Sequence, residues 1–201
     1  MRLILLIFAL FTSFISVASY NPQNGDIIFQ SSQSRQSQAV EQVTNSPYSH
    51  MGIIFIKNGQ PYVFEAINKV VYTPLNNWIA RGKQQNYVIK RLKDHNLSNN
   101  EIDKLKQVAS TFEGKPYDIW FGWDDHYIYC SELVWKIYDK ALKLRIGRLQ
   151  TIKEFNLSSP LVKKILKERY GNKIPYQETV ISPASMFNSP LLITVDKQWQ
   201  Y

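Results

Sequence analysis

The sequence predicts an α+β fold in which a small antiparallel sheet packs against helices. Three observations carry this. Runs rich in β-branched and aromatic residues cluster between positions 25 and 92. An Asn58-Gly59 pair separates two of these runs. From Leu97 onward the apolar spacing changes to that of helices.

Gly25-Asp26-Ile27-Ile28-Phe29-Gln30 has the composition of a short strand, and the Ser/Gln-rich residues 31–38 read as an exposed loop. Ala39 to Asn45 suits a short helix, which Ser46-Pro47 breaks. Next come Ser49 to Lys57, Asn58-Gly59, and Gln60 to Ile67. Asn-Gly between apolar β-branched runs signals a type I′ hairpin, because both central residues of that turn need positive φ. With Lys57 opposite Gln60, counting outward sets Gly52 opposite Glu65 and His50 opposite Ile67. His50 and Glu65 are then diagonal neighbours on one face, with β-carbons roughly 5–8 Å apart. A one-residue slip would move Glu65 to the other face.

Val70 to Pro74 and Tyr87 to Leu92 read as further strands, with a helical turn from Asn76 to Arg81 between them. From Leu97 to Phe112, Ser98 and Glu101 form a capping box, and Ile102, Leu105, Ala109 and Phe112 make one apolar stripe. Gly114 to Asp118 ends this helix. An aromatic stretch then leads through Trp120, Phe121, Trp123 and Tyr127 to Cys130. Leu133, Val134, Ile137, Tyr138 and Ala141 recur at helical spacing, so Cys130 falls at the start of a core-facing helix running to about Leu142. Ser159-Pro160 to Gly171 carries a cap residue, a first-turn proline and a terminal glycine, and it is rich in Lys and Arg. The tail from Thr179 to Val195, interrupted by Pro183 and Pro190, suits an edge strand closing the sheet.

A chain of 201 residues and 23.5 kDa suits one domain. Residues 1–19 combine Arg2, an apolar run from Leu3 to Ile15 and small residues at Ser16 to Ser19, which is the pattern of a secretory signal. The apolar run is shorter than the roughly 20 residues of a spanning helix, which weighs against an uncleaved anchor. Export would leave residues 20–201 as a single domain in the periplasm or outside the cell. The formal net charge of +8 would draw it to anionic envelope surfaces rather than to nucleic acid, which is not an expected partner.

The chain has one cysteine, so it forms no internal disulfide. A thiol at a helix N-terminus beside an imidazole is the usual arrangement of a cysteine nucleophile, and the backbone N–H groups there can hold an oxyanion. Blander readings stand beside this one. Cys130 could be a small core residue and His50 a strand histidine bonded to a carbonyl. Glu65, in an apolar run, needs a partner or an exposed face. His126 follows Asp124-Asp125 and precedes Cys130 by four positions, but a zinc pattern needs more cysteines or an H-E-x-x-H helix, so no metal or other cofactor is expected. His95, in a polar loop, reads as solvated.

These motifs taken together resemble the circularly permuted branch of the NlpC-type papain-like cysteine peptidases, the YiiX/YebB-like proteins. The matching segments are Gly25 to Phe29, Ser49 to Ile53, Phe64-Glu65-Ala66, Gly114 to Asp118 and Tyr129 to Val134. The histidine precedes the cysteine, as in the permuted branch. The resemblance implies Cys130 as nucleophile, His50 as general base and acid, and Glu65 as the group orienting the imidazole. It also implies substrate-binding roles for Tyr129, Ser49 and Tyr117, and His126 is a further candidate to line the cleft. The basic segment 145–176 has no counterpart in the pattern.

The resemblance suggests cleavage of amide bonds in cell-wall peptides. Permuted relatives also resemble lipid acyltransferases and thioesterases, so an acyl-lipid substrate is the alternative, favoured if Trp120 to Tyr129 lines an apolar groove. A non-catalytic module binding a peptide or amino acid is the third reading.

Overall fold

The computed structural model describes residues 20–199, so the expected signal segment 1–19 lies outside the described residues. The sheet is built from β1 (Asp26–Gln30), β2 (His50–Lys57), β3 (Gln60–Ala66), β4 (Val70–Pro74), β5 (Tyr87–Leu92) and β8 (Leu192–Gln198). Their spatial order is β4-β3-β2-β1-β5-β8, and every neighbouring pair is antiparallel.

The β2–β3 hairpin has the expected register, with Lys57 opposite Gln60 and Ile53 opposite Phe64. Asn58 and Gly59 have φ of 51° and 74°, the positive pair that the turn requires. At the start of β1, Gly25 has φ +88°, and a β-carbon there would lie 2.4 Å from the Leu97 side chain. Only glycine fits that corner. The neighbouring Asp26 is fully buried but paired, accepting Arg91 Nε at 2.6 Å and the Tyr20 hydroxyl at 2.7 Å.

Apolar residues on both sheet faces are buried, so the sheet is the middle layer. On one face Ile27, Phe29, Met51, Ile53 and Phe64 pack in one cluster with α3 (Asn99–Ser110) and α4 (Cys130–Leu142). The Ser98–Glu101 capping box starts α3, and Leu105, Ala109 and Phe112 of its expected stripe are buried. On the other face α2 (Leu75–Ala80) sets Leu75 and Trp78 over Ile28, Ile54, Val63 and Ile89. Fully burying such side chains stabilises the fold by about 1.5–3 kcal/mol each.

Two expectations need correction. Residues 35–38 are not loop: α1 (Arg35–Thr44) begins there, because the Ser34 hydroxyl accepts the Ser37 N–H at 3.1 Å and caps it. In the tail, Thr179–Val180 (β7) does not join the large sheet but pairs with Gln150–Thr151 (β6). Pro183 does not interrupt a strand. It opens α6 (Pro183–Phe187), a position where its missing N–H costs nothing. The edge strand begins only at Leu192. The basic helix forms as expected, as α5 (Pro160–Tyr170), capped by the Ser159 hydroxyl and ended by Gly171.

Candidate active site

His50 is the first residue of β2, and Glu65 sits near the end of β3 on the same sheet face, the one covered by α2. His50 Nε2 lies 2.6 Å from Glu65 Oε2. The Trp78 indole N–H donates to that same oxygen at 3.0 Å. The other carboxylate oxygen accepts the Thr73 hydroxyl at 2.6 Å and the Arg81 guanidinium. Both oxygens of a fully buried carboxylate are thus saturated by donors. The His50 ring also stacks on Trp78, centroid to centroid 5.8 Å with planes 23° apart.

Cys130 comes from the opposite layer. It is the first residue of α4, 5 % exposed, and it meets the imidazole where β2 begins. With Nε2 held by Glu65, Nδ1 is the nitrogen left to face the thiol. Burial works to lower the His50 pKa, but hydrogen bonding to Cys130 and Glu65 outweighs it, and the net effect is a rise from 6.5 to about 9. Burial likewise works to raise Glu65. The bond to His50 and its charge, aided by Thr73 and Arg81, hold that carboxyl below its usual value. His50 and Glu65 therefore stand as an ion pair at neutral pH.

The first turn of α4 has free N–H groups by construction, so donors surround the thiol. Within the same turn Glu132 is fully buried, and burial pushes its pKa up to about 8 although Lys136 stands 2.7 Å away. Lys136 continues to Asp125 Oδ1 at 2.9 Å and the Asp124 carbonyl at 2.7 Å. This ties the aromatic connection to the helix.

A narrow cavity of about 130 Å³ has Cys130 in its wall. From α1 it is lined by Gln36, Ala39, Val40, Val43 and Thr44, and from α5 by Val162, Ile165, Leu166, Arg169 and Tyr170. Both sets follow the i, i+3, i+4, i+7, i+8 spacing of one helix face. The lining is mostly apolar, and its aromatic part comes from Tyr117, Phe121, Tyr129, Phe155 and Tyr170. The segment 145–176, which the motif pattern left without a role, builds one wall.

Ser49 and Tyr117 line this cavity as well. Ser49 Oγ accepts the Ser32 N–H at 3.0 Å and donates to Glu41 Oε1 at 3.1 Å, so it is fixed. The Tyr117 hydroxyl accepts Gln36 Nε2 at 2.8 Å. Burial, then the nearby Cys130, push the Tyr117 pKa well above 10. The Tyr129 hydroxyl accepts the Ile181 N–H at 3.0 Å, which makes that ring a strut behind the helix that carries Cys130. His126 is not on the cavity wall. It is exposed in the 114–129 connection, turned outward by the loop that Asp124 holds through the His126 N–H at 2.6 Å. His95 is exposed and pairs with Glu101 at 3.0 Å.

Sequence reasoning missed Thr73, Trp78 and Arg81 as carboxylate donors, although positions 78 and 81 are three apart and so share a helix face. It also missed Gln36 and Arg169, which long-range packing brings together.

A family model described as permuted papain-like amidase, YaeF/YiiX, C92 family, matches residues 21–196. The chain belongs to that family. Its members are papain-like cysteine hydrolases, so the chain is an enzyme of that kind, and its α+β architecture fits the permuted papain-like fold. It is similar to the uncharacterized protein YiiX of Escherichia coli (strain K12), at 50 % identity over 97 % of this chain and 96 % of that protein. It is also similar to the crystal structure of YiiX from Escherichia coli O157:H7, with 51 % identity and a TM-score of 0.87, over 90 % of this chain and all of that one. That structure is described as a metalloprotein. In this chain, among the described residues, no group of three His, Cys, Asp or Glu side chains is placed to hold a metal. Glu65, the carboxylate nearest His50, already shares its oxygens with Thr73, Trp78 and cationic Arg81.

Proposed function

We propose that this enzyme transfers or hydrolyses the acyl group of aliphatic acyl amides, with Cys130 as nucleophile, His50 as base and acid, and Glu65 orienting the imidazole. The observation that carries this reading is the apolar cavity with Cys130 in its wall. A hydrocarbon chain gains about 0.8 kcal/mol per buried CH₂ in such a slot, whereas a cell-wall peptide would leave its polar groups unpaired there. Of the stretch Trp120 to Tyr129, Phe121 and Tyr129 are on the wall and support the acyl alternative, while Trp120 and Tyr127 are exposed.

In the reaction, the proton of Cys130 rests on His50 while Sγ attacks the amide carbonyl, and the charge that develops on oxygen faces the N–H groups of the first turn of α4. The C–N bond breaks as His50 passes its proton to the departing amine. The thioester left on Cys130 is resolved by water, or by a second amine or alcohol, whose proton His50 accepts. Glu65 keeps Nε2 protonated so that Nδ1 works at sulfur.

Export to the periplasm or cell exterior is part of this reading, supported by the Arg2-led apolar run in residues 1–19. The formal net charge of +8, which becomes +7 when Arg2 leaves with residues 1–19, supports peripheral contact with an anionic envelope, where such lipids and cell-wall peptides both occur. Among the described residues no helix is long and apolar enough to cross a membrane.

Turnover of an N-lauroyl amide and of digested cell-wall peptides is compared by mass spectrometry, with Cys130→Ala as blank. Release of laurate by the parent enzyme alone is the expected result. Cleavage confined to the peptides would return the substrate to the cell wall, and change in neither would favour a binding module.

A further inference from the structure

The inward stripes of α1 and α5 are mostly apolar, and their one charged residue is Arg169. Lys163, Lys164 and Lys167 of α5 are exposed, while Arg169 lies on the cavity-facing stripe and is partly buried. Its guanidinium donates to Gln36 Oε1 at 2.6 Å and lies 5.1 Å from the centre of the Phe121 ring. Among the described residues Arg169 joins no ion pair. Glu168 beside it turns outward to Arg35 at 3.6 Å, and Asp118 acts on Arg169 only at longer range.

A guanidinium carries five N–H donors in a planar fork. Gln36 uses the Nη2 side, which leaves the rest of the fork for another acceptor. A charge held in an apolar wall without a counter-ion is costly, and burial accordingly lowers the Arg169 pKa. The same Gln36 amide donates to Tyr117, which lines the cavity together with Cys130. Two hydrogen bonds therefore link Arg169 through Gln36 to Tyr117.

We infer that Arg169, steadied by Gln36, is a specificity-determining residue that receives a negatively charged group on the substrate, a carboxylate or a phosphate close to the scissile amide. The substrate class is then an N-acylamino acid or an N-acylated aminoalkyl phosphate, with the chain between α1 and α5 and the charge on Arg169. The substrate class rests on the acyl-amide reading above and deepens it, whereas anion binding at Arg169 is tested by itself.

The test measures calorimetric binding of N-lauroylglycine, N-lauroyl-aminoethyl phosphate and neutral N-lauroylethanolamine to the Cys130→Ala protein. Arg169→Gln and Arg169→Lys are made on the same background. A charge-assisted hydrogen bond predicts that an anionic ligand binds at least ~10-fold tighter than the neutral one. Arg169→Gln removes that preference and Arg169→Lys keeps part of it. The preferred anion tells carboxylate from phosphate. Equal binding of all three ligands, or a preference that survives Arg169→Gln, overturns the inference, and binding of none overturns it together with the acyl reading. Turnover by the Cys130-containing enzyme separates the two claims. An anion preference in binding without any laurate release removes the acyl-transfer reading, and with it the substrate class, and leaves Arg169 only as an anion-binding group. Laurate release with the same kcat/KM for charged and neutral amides does the reverse.

Discussion

Trp78 and His50 share one carboxylate oxygen, with the indole N–H at 3.0 Å and the imidazole Nε2 at 2.6 Å from Glu65 Oε2, while their rings stack. The indole thus fixes both the position of the carboxylate and the plane of the histidine. Trp78→Phe keeps a stacking surface and removes the donor. It is expected to lower stability by about 1–3 kcal/mol and to reduce kcat more than it changes KM. Denaturant midpoints and steady-state kinetics check this.

Glu65→Gln replaces the charge while keeping the shape. An amide in that place no longer favours the imidazolium, and its N–H₂ meets the donors of Thr73 and Arg81. kcat is expected to fall by up to ~10⁴-fold, the loss that follows when an orienting carboxylate becomes its amide. NMR titration gives a second readout that simple misfolding would not produce. With the Glu65 contribution gone and burial still acting, the His50 midpoint falls well below about 9.

The raised His50 pKa makes stability depend on pH in one direction. The folded imidazole titrates at about 9 and the unfolded one at 6.5. A raised folded value means that the stabilisation is fully present below 6.5 and is lost as pH climbs through about 9. Its size is on the order of 3 kcal/mol. Thermal melts across this window should decline for the parent protein and stay flatter for His50→Gln.

Gly52 lies between the strands two residues after His50. A β-carbon there would come within 2.4 Å of Val63 Cγ1 and 2.7 Å of the Phe64 carbonyl oxygen. Gly52→Ala should cost about 1–3 kcal/mol and slow labelling of Cys130 by a thiol reagent, since the shifted strand carries His50 with it. Adding Val63→Ala removes only the side-chain clash, so recovery should be partial. Melting temperature and labelling rate report the two effects.

The contact between His50 and Glu65 was legible in the sequence because a two-residue Asn-Gly turn sets a register that can be counted. Cys130 at a helix start was legible from the spacing of Leu133, Val134 and Ile137, which lie on one face. Local signals ran out where one pattern hid another. The Ser34 cap was lost within a Ser/Gln-rich run, and Pro183 looked like a strand breaker when it opens a helix. The cavity was not legible at all. Its walls come from α1 and α5, and the Gln36–Arg169 contact joins residues 133 positions apart, a pairing that no local periodicity encodes.

The central claim is that Cys130 carries the acyl group, and intact-mass spectrometry tests it most directly. Enzyme mixed with an N-lauroyl amide and quenched in acid should gain the mass of one lauroyl group, mapped by peptide digestion to Cys130. The adduct should be absent in Cys130→Ala and much reduced in His50→Ala. A protein that turns over the amide with Cys130 never acylated, or an adduct on another residue, would contradict the account.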